Sequence, residues 1–191
     1  MPEIFNLSPH YPAHEWLATA VPGRVPHAQL IVSAQGGMAW AAVQAYIKRL
    51  LCPDGGCGHC PSCKQAASLT HPDVHLVFPV TASAGDGTSE SSLIEFRNFL
   101  KFNKFPLVRT WIDALDASQK VVQISVKEAK RMGDLLSLKS HSGGYKVLLI
   151  WLPERLHDSA ANKLLKTLEE PEAKTAILLI SHDEESVLPT I

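Results

Sequence analysis

The chain has 191 residues, of which 46% are hydrophobic and 19% are charged, and its formal net charge at pH 7 is −1. This length suits one good-sized domain, or one domain with an insertion, that buries a core of its own. The near-zero charge gives no global attraction for nucleic acid or for anionic membrane, so any such binding requires a local patch or a partner subunit. No run of about 18 apolar residues predicts a membrane span, and residues 1–16 lack the features of a signal peptide. We therefore expect a cytoplasmic protein.

The first predicted elements are a short helix around Glu15–Ala20, a mostly buried strand in HAQLIVSA and a long helix over residues 38–51. The loop SAQGGMAW joins the strand to the long helix, which is the arrangement of a phosphate-binding loop. In a working loop a lysine neutralises the phosphates and a Ser or Thr hydroxyl binds Mg²⁺. Ala39 and Trp40 occupy the positions where those two residues are required.

All four cysteines follow that helix in CPDGGCGHCPSC, with the spacing C-x4-C-x2-C-x2-C. Four thiolates satisfy a tetrahedral Zn²⁺ ion, and clustered cysteines in a cytosolic chain favour a metal site over free thiols or two local disulfides. Four protein ligands leave no open position, so the predicted zinc is structural and not catalytic. We expect His59 to be a solvated loop residue and His71 to act in a turn. The predicted zinc ligands are Cys52, Cys57, Cys60 and Cys63.

A second strand is predicted at Val74–Phe78, after which residues 79–122 break the alternation of strands and helices. This segment begins as a small polar loop and continues into a helix that should end near Asn103. Aromatic and cationic residues are mixed in it, namely Phe96, Arg97, Phe99, Lys101, Phe102, Lys104, Phe105, Arg109 and Trp111. Such a mixture can bind single-stranded nucleic acid. Because Phe96 and Phe99 share a helix face, we favour packing on the rest of the domain, with a partner-binding patch as the intermediate interpretation.

Beyond this segment, Ser125 and Glu128 predict the capping box of a helix with an apolar stripe. YKVLLIWL and TAILLIS are continuous apolar runs of the buried-strand type, and between them a helix is predicted over Ala160–Glu170, ended by Pro171. Strands that alternate with helices, without alternation of polarity inside the strands, predict a parallel sheet covered on both faces.

Taken together, these segments resemble the bacterial DNA polymerase III clamp loader, whose gamma/tau and delta-prime subunit families belong to the AAA+ superfamily. The resemblance rests on HAQLIVSAQGG, the four cysteines, THPDVH, YKVLLIWLPERLHDSAANKLLKTLEEP and AILLISHD, and it leaves out residues 79–122. It implies an α/β fold of the AAA+ P-loop NTPase type, a three-layer sandwich with a parallel five-stranded sheet. Residues 1–191 would form one AAA+ base domain with a zinc module at 52–63 and a helical insertion at 79–122, without the lid and collar domains of the family.

The same resemblance implies a degenerate nucleotide site. Ser33, Gly36 and Met38 align with the first, middle and last glycines of the phosphate loop, so only the middle glycine is kept. The second strand of the site ends in a single carboxylate, for which capping or a surface salt bridge is the favoured role, and the polar sensor position holds a serine with a structural hydroxyl. The expected inactive site consists of Ser33, Gly36, Gly37, Ala39, Trp40, Glu154 and Ser181. We therefore expect no bound ATP and no catalytic residue.

The implied function is that of a non-hydrolysing, delta-prime-type subunit that helps to load the sliding clamp onto primed DNA during replication. Its partners would be gamma/tau- and delta-type subunits and, indirectly, the clamp and the DNA, with no membrane involved. The chain stops at LPTI, where the family's arginine-finger motif would begin, so we expect an N-terminal fragment that is monomeric alone. Two alternatives remain open: an ATP-hydrolysing gamma/tau-type subunit, which predicts nucleotide binding, and a zinc-containing DNA- or protein-binding module, which predicts salt-sensitive affinity for DNA.

Overall fold

The computed structural model of the chain describes residues 12–20, 25–169 and 172–187. The strands within these residues are β1 (Ala28–Val32), β2 (Val74–Val77), β3 (Val80–Thr81), β4 (Val122–Gln123), β5 (Lys146–Trp151) and β6 (Thr175–Ser181). Four of them form the main sheet in the order β1–β6–β5–β2, and every neighbouring pair is parallel. The prediction of a five-stranded parallel sheet is therefore wrong for the described residues, in which the main sheet has four strands. The two remaining strands, each only two residues long, pair antiparallel with each other instead of extending the main sheet.

Helices cover both faces of the main sheet, as the continuous apolar strands predict. They are α1 (Pro12–Ala18), α2 (Ala39–Leu51), α3 (Pro61–Ala67), α4 (Leu93–Phe102), α5 (Val108–Ala114), α6 (Val126–Ser137) and α7 (Asp158–Glu169). Successive side chains of β5 enter different cores because strand side chains alternate between faces. Leu149 and Trp151 join the core that contains α2, α4 and α5, whereas Leu148 and Ile150 join the core that contains α6 and α7.

The start of α7 differs slightly from the predicted one. The helix begins at Asp158, two residues before the predicted start, and the carbonyl of His157 accepts bonds from the amides of Ala160 and Ala161 at 2.6 and 3.0 Å. The predicted stop at Pro171 and the LPTI segment lie outside the described residues. Within the described part of the chain, no helix is both long enough and apolar enough to cross a membrane.

Residues 79–122 lie outside the main sheet, and the two ends of this segment lie next to each other. β3 and β4 border the segment and pair Val80 with Gln123 and Thr81 with Val122. Inside it, α4 ends at Phe102, and the amide of Asn103 donates to the carbonyl of Phe99 at 3.0 Å, so the predicted helix end is confirmed.

The aromatic residues of this segment divide between core and surface. Phe96 and Trp111 are fully buried, and the indole of Trp111 donates to the carbonyl of Pro79 at 2.8 Å. Phe99 is buried beside them, whereas Phe102 remains 87% exposed. The favoured packing interpretation therefore holds for the shared face of α4 and for Trp111, whereas Phe102 and Phe105 remain on the surface.

The polar loop at the start of the segment is fixed by a buried carboxylate. Ser125 caps α6 as predicted, since its hydroxyl accepts a bond from the amide of Glu128 at 3.3 Å. Glu128 does not complete the capping box. Its carboxylate accepts instead from the amide of Ser89 at 2.6 Å and from the guanidinium of Arg131 at 2.7 Å. Arg131 also donates to the carbonyl of Leu76 at 3.0 Å, so the loop is tied to both α6 and β2.

Candidate functional site

Residues that follow β1, β5 and β6 contact one another at the carboxyl ends of these strands, where open α/β sheets commonly bind ligands. Nδ1 of His182 lies 2.9 Å from the carbonyl oxygen of Ser33, and the amide of His182 donates to Oε1 of Glu154 at 3.2 Å. The amide of Ser33 donates to the carbonyl of Ser181 at 3.1 Å. His182 was not among the residues predicted for this site. The useful signal was its place directly after an apolar strand, because parallel strand ends meet at one edge.

The loop that aligns with a phosphate-binding loop is folded against itself. The amide of Gly37 donates to the carbonyl of Ala34 at 3.0 Å, so this group is used inside the turn. A Cβ atom at Gly37 would lie 2.2 Å from Oγ of Ser33, and one at Gly36, where φ is +73°, would lie 3.2 Å from Cδ2 of Leu107. The turn therefore needs glycine at both positions, and Leu107, between α4 and α5, packs on it.

The two residues that open α2 lie in the core. Ala39 is 7% exposed and Trp40 is 4% exposed. The indole of Trp40 contacts the rings of Trp151 and Phe96 edge to face, at centroid distances of 6.2 and 5.8 Å. Trp151 is the last residue of β5. An indole offers one N–H donor and no acceptor for a metal ion, so this aromatic contact supplies no ligand for Mg²⁺.

The hydroxyl of Ser181 and the carboxylate of Glu154 are both engaged by backbone groups. Ser181 is fully buried, and its hydroxyl accepts from the amide of Asp183 and donates to the carbonyl of Asp183, both at 3.0 Å. The hydroxyl is therefore used in a local turn with Asp183. Oε2 of Glu154 is buried without a protein partner among the described residues. The carboxylate therefore links two strand ends through its bond to the amide of His182.

The four cysteines come together between α2 and α3. All four sulfur atoms lie within 4.8 Å of one another, and Sγ of Cys52 is 3.7 Å from Sγ of both Cys57 and Cys60. A tetrahedral zinc site with Zn–S bonds of about 2.3 Å has sulfur–sulfur distances of about 3.8 Å. The arrangement fits such a site, and 3.7 Å is too long for a disulfide bond.

Local backbone geometry explains why these residues form the cluster. Cys60 caps α3 and accepts from the amide of Cys63 at 3.4 Å, which brings two ligands of one C-x2-C turn together. Gly56 has a φ of +100°, a conformation that glycine adopts without strain. His59 is exposed, and its ring contacts the carbonyl of Cys57 instead of joining the sulfur cluster.

The thiols of the cluster differ in acidity because their surroundings differ. Burial raises the pKa of Cys52, but hydrogen bonds from the backbone of Cys57 and its neighbours outweigh burial and lower the value to about 6. Burial raises the pKa of Cys63 to about 12, and the adjacent Cys52 and Cys60 act in the same direction. The cluster alone therefore does not hold four thiolates at neutral pH. A bound divalent cation would supply the compensating charge.

A further buried carboxylate, that of Asp73, lies directly before β2, at the amino end of the main sheet. Asp73 is 2% exposed and accepts bonds from the amide of His141 at 2.5 Å and from the amide and hydroxyl of Ser142 at 3.0 and 2.5 Å. Burial raises its pKa, but these hydrogen bonds outweigh burial and hold the pKa below its ordinary value. Nδ1 of His71 accepts from the amide of Asp73 at 3.1 Å, which confirms the predicted turn.

Comparison with known proteins gives a consistent result. Residues 13–191 match the family described as DNA polymerase III, delta subunit. The DNA polymerase III subunit delta' of Pseudomonas aeruginosa is 28% identical over 187 residues, which cover 95% of this chain and 45% of that protein. The subunits delta' of Yersinia pestis and Escherichia coli are 32% and 30% identical, and each comparison covers 88% of this chain and 40% of the relative. The chain thus spans less than half the length of these relatives.

The structure also resembles a solved structure. A DNA polymerase III gamma subunit-related protein from Thermotoga maritima superposes with a TM-score of 0.52, over 94% of this chain and 42% of that chain. The sequence identity is 17%, so this likeness shows the fold alone.

Proposed function

The chain belongs to the family of DNA polymerase III delta subunits, and on that premise we propose that it is a non-hydrolysing clamp-loader subunit of the delta-prime type. In this role it works in the cytoplasm with gamma/tau- and delta-type subunits, which place the sliding clamp on primed DNA during replication. The names of its curated relatives support the delta-prime type.

The observation that carries the absence of ATP hydrolysis is the buried contact between Trp40 and Trp151. Hydrolysis by a P-loop enzyme needs a lysine on the phosphates, and a hydroxyl and a carboxylate on Mg²⁺. Here Ala39 brings no charge, and the indole of Trp40, at the position that aligns with the hydroxyl, is in contact with the indole of Trp151 at the end of β5. Replacing them by small polar residues would open a cavity in the core, so the loss of chemistry is linked to packing.

Hydrogen bonds at the strand ends support the role of a subunit that keeps one conformation in the loader. The bonds from Ser33 to Ser181 and from His182 to Ser33 and Glu154 connect β1, β5 and β6 directly. In a nucleotide-dependent subunit the corresponding groups would need to respond to the presence of the phosphates. Groups already bonded to each other respond weakly to a ligand that must first separate them.

A titration with a fluorescent ATP analogue in the presence of Mg²⁺ tests this proposal. We expect no saturable binding at nucleotide concentrations up to about 1 mM, where an interaction of about −4 kcal/mol would be detected. A hydrolysing gamma-type subunit serves as the positive control. Saturable micromolar binding that unlabelled ATP competes away would contradict the proposal and support the gamma/tau-type alternative.

We also propose that Cys52, Cys57, Cys60 and Cys63 hold one structural zinc ion. Their sulfur–sulfur distances and their position on one short segment support this assignment. Metal analysis of the purified protein should find about one equivalent of Zn²⁺. Cys63→Ser should lower the zinc content, because the loss of one thiolate ligand weakens binding of the metal. His59→Ala should keep the metal content of the wild type. Less than about half an equivalent in protein never exposed to chelator counts against the site.

Finally, we propose that residues 1–191 form one AAA+ base domain into which residues 79–122 are inserted, with the cysteine segment 52–63 as a zinc module. The pairing of β3 with β4 at the two ends of the inserted segment supports this division. The burial of Phe96 and Trp111 in the core of the main sheet supports a single folding unit.

A further inference from the structure

The turn between α4 and α5 presents a surface that the proposed role does not use. Phe102 and Phe105 are 87% and 47% exposed, and the exposed cations Lys101, Lys104 and Arg109 flank them. We call these five residues the cationic–aromatic patch, and we propose that this patch binds single-stranded nucleic acid. The inference goes beyond the proposed function and does not depend on which type of loader subunit the chain is.

The charge of the patch is local. Between Phe96 and Ile112 the chain carries four cations and no carboxylate, although the whole chain has a net charge of −1. Arg97 is engaged elsewhere, since its Nε donates to the carbonyl of Leu69 at 2.9 Å. The contact of Lys101 with the side chain of Asn98 leaves its charge unpaired.

Arg109 has a carboxylate neighbour, but this pair is too exposed to cancel its charge. Its Nε lies 3.7 Å from Asp113, and the two side chains are 86% and 53% exposed. Such pairs are screened by water and salt and contribute little. The three cations of the patch therefore remain available to neutralise phosphates.

The exposed rings select the class of ligand. A phenyl face stacks on any unpaired base, whereas the bases of a duplex already stack on each other. The cavity of about 550 Å³ in this structure is lined by residues of α1, β1 and α2, with no member of the patch among them. Exposed rings beside cations suit extended single strands, which need a platform, better than the anchor side chains of an acidic protein, which need a pocket.

The backbone that carries the patch is anchored on the core by neighbouring side chains. Phe96 and Phe99, on the same helix as Phe102, are buried against Trp151, and Leu107 packs on the loop at Gly36. A surface already fixed in position loses less conformational entropy when it binds. Binding by the chain alone is therefore expected, without a partner to arrange the patch.

The test is fluorescence anisotropy of the purified chain with a fluorescein-labelled oligothymidine of about 15 nucleotides, a length within the range of single-strand sites. We expect saturable binding that weakens as salt rises from about 50 to about 200 mM. The double variant Phe102→Ala/Phe105→Ala should weaken binding at least about tenfold, because stacking contributes strongly for each base. Lys101→Gln/Lys104→Gln should reduce the slope of log affinity against log salt by about 1.4, at about 0.7 for each phosphate contact.

Matched variants distinguish the patch from general effects of surface change. Ile94→Ala/Val121→Ala removes two other exposed apolar side chains, 71% and 74% exposed, and should leave the affinity unchanged. Lys120→Gln/Lys130→Gln removes two exposed cations outside the patch and should leave the salt slope unchanged. Circular dichroism should be the same for all variants, since every altered side chain is exposed.

Three outcomes would overturn the proposal. One is the absence of wild-type binding at low salt. Another is equal affinity for the single strand and for its duplex, which would assign binding to charge alone. The last is competition by a polyglutamate peptide as effective as competition by an unlabelled oligothymidine of the same charge, which would indicate an acidic protein as the partner.

Discussion

Asp73 and Glu128 illustrate, at the scale of single residues, how polar segments of this chain are held in place. Both carboxylates are almost completely buried, and each accepts hydrogen bonds from backbone amides of a distant segment. A buried carboxylate costs free energy unless such donors surround it. Removing either acceptor, or the cation beside it, therefore has effects that surface substitutions do not.

Asp73→Asn should lower the free energy of unfolding at neutral pH by about 1–3 kcal/mol, because the amides of His141 and Ser142 lose a charged acceptor. The folded pKa of Asp73 lies below its ordinary value, so its stabilisation is fully present above the unfolded pKa of about 3.9 and is lost as pH falls through the folded pKa. Urea unfolding across this range should show a shallower loss in the variant. Asp134→Asn, at an exposed position, is the control, and equal pH dependence in all three proteins would contradict the assignment.

Arg131→Met should lower the free energy of unfolding by about 3–5 kcal/mol, because it leaves the carboxylate of Glu128 buried without its cation. Arg109→Met removes an exposed partner of Asp113 and should cost about 0–1 kcal/mol. Chemical unfolding of both variants measures the difference. Similar losses for the two arginines would show that the bonds of Arg131 to the loop carry no particular weight.

At the scale of elements, the first strand–loop–helix unit stabilises the fold through the packing of α2 on β5 and α4. Trp40→Ala should destabilise the protein by about 3–5 kcal/mol, since it removes a ring that α2 contributes to the contact with β5 and α4. Phe102→Ala, at the exposed end of α4, should change stability by no more than about 0.5 kcal/mol. Thermal or urea unfolding gives both values. A small effect at Trp40 would mean that its indole does not fill the space that we assign to it.

Elements with strong local patterns were predictable, and contacts between distant segments were not. The apolar runs of β1, β2, β5 and β6 and the end of α4 near Asn103 follow from residue type and from the following proline. The pairing of β3 with β4 joins two-residue segments with no pattern of their own. Glu128 fits a capping box by spacing, but its carboxylate bonds to Ser89, which is 39 residues away.

The same division applies to the candidate site. The cysteine cluster was predictable because its four members, the proposed zinc ligands, fall within a dozen residues, and the spacing pattern of such sites is local in the sequence. Ala39 and Trp40 were recognised by alignment, but the contact of Trp40 with Trp151 depends on how α2 lies over β5. His182 was missed because its partners, Ser33 and Glu154, follow other strands.

For the whole molecule, the inserted segment and the main sheet should unfold together. Phe96 and Trp111 belong to the same core as Trp40 and Trp151, so the insertion has no separate interior. Tryptophan fluorescence and far-ultraviolet circular dichroism should therefore report coincident urea transitions, as expected for two-state unfolding. A distinct early transition in fluorescence alone would show that residues 79–122 unfold on their own.

The hydrogen bonds that join Ser33, Ser181, His182 and Glu154 bear on the timing of a multi-subunit machine. Binding and release of a nucleotide can time the steps of such a cycle only through subunits whose conformational populations change with the nucleotide. In the proposed non-hydrolysing subunit the strand ends already bond to one another, so nucleotide would change these populations only weakly. In the proposed loader, this chain would keep one conformation while the neighbouring subunits change theirs in each cycle.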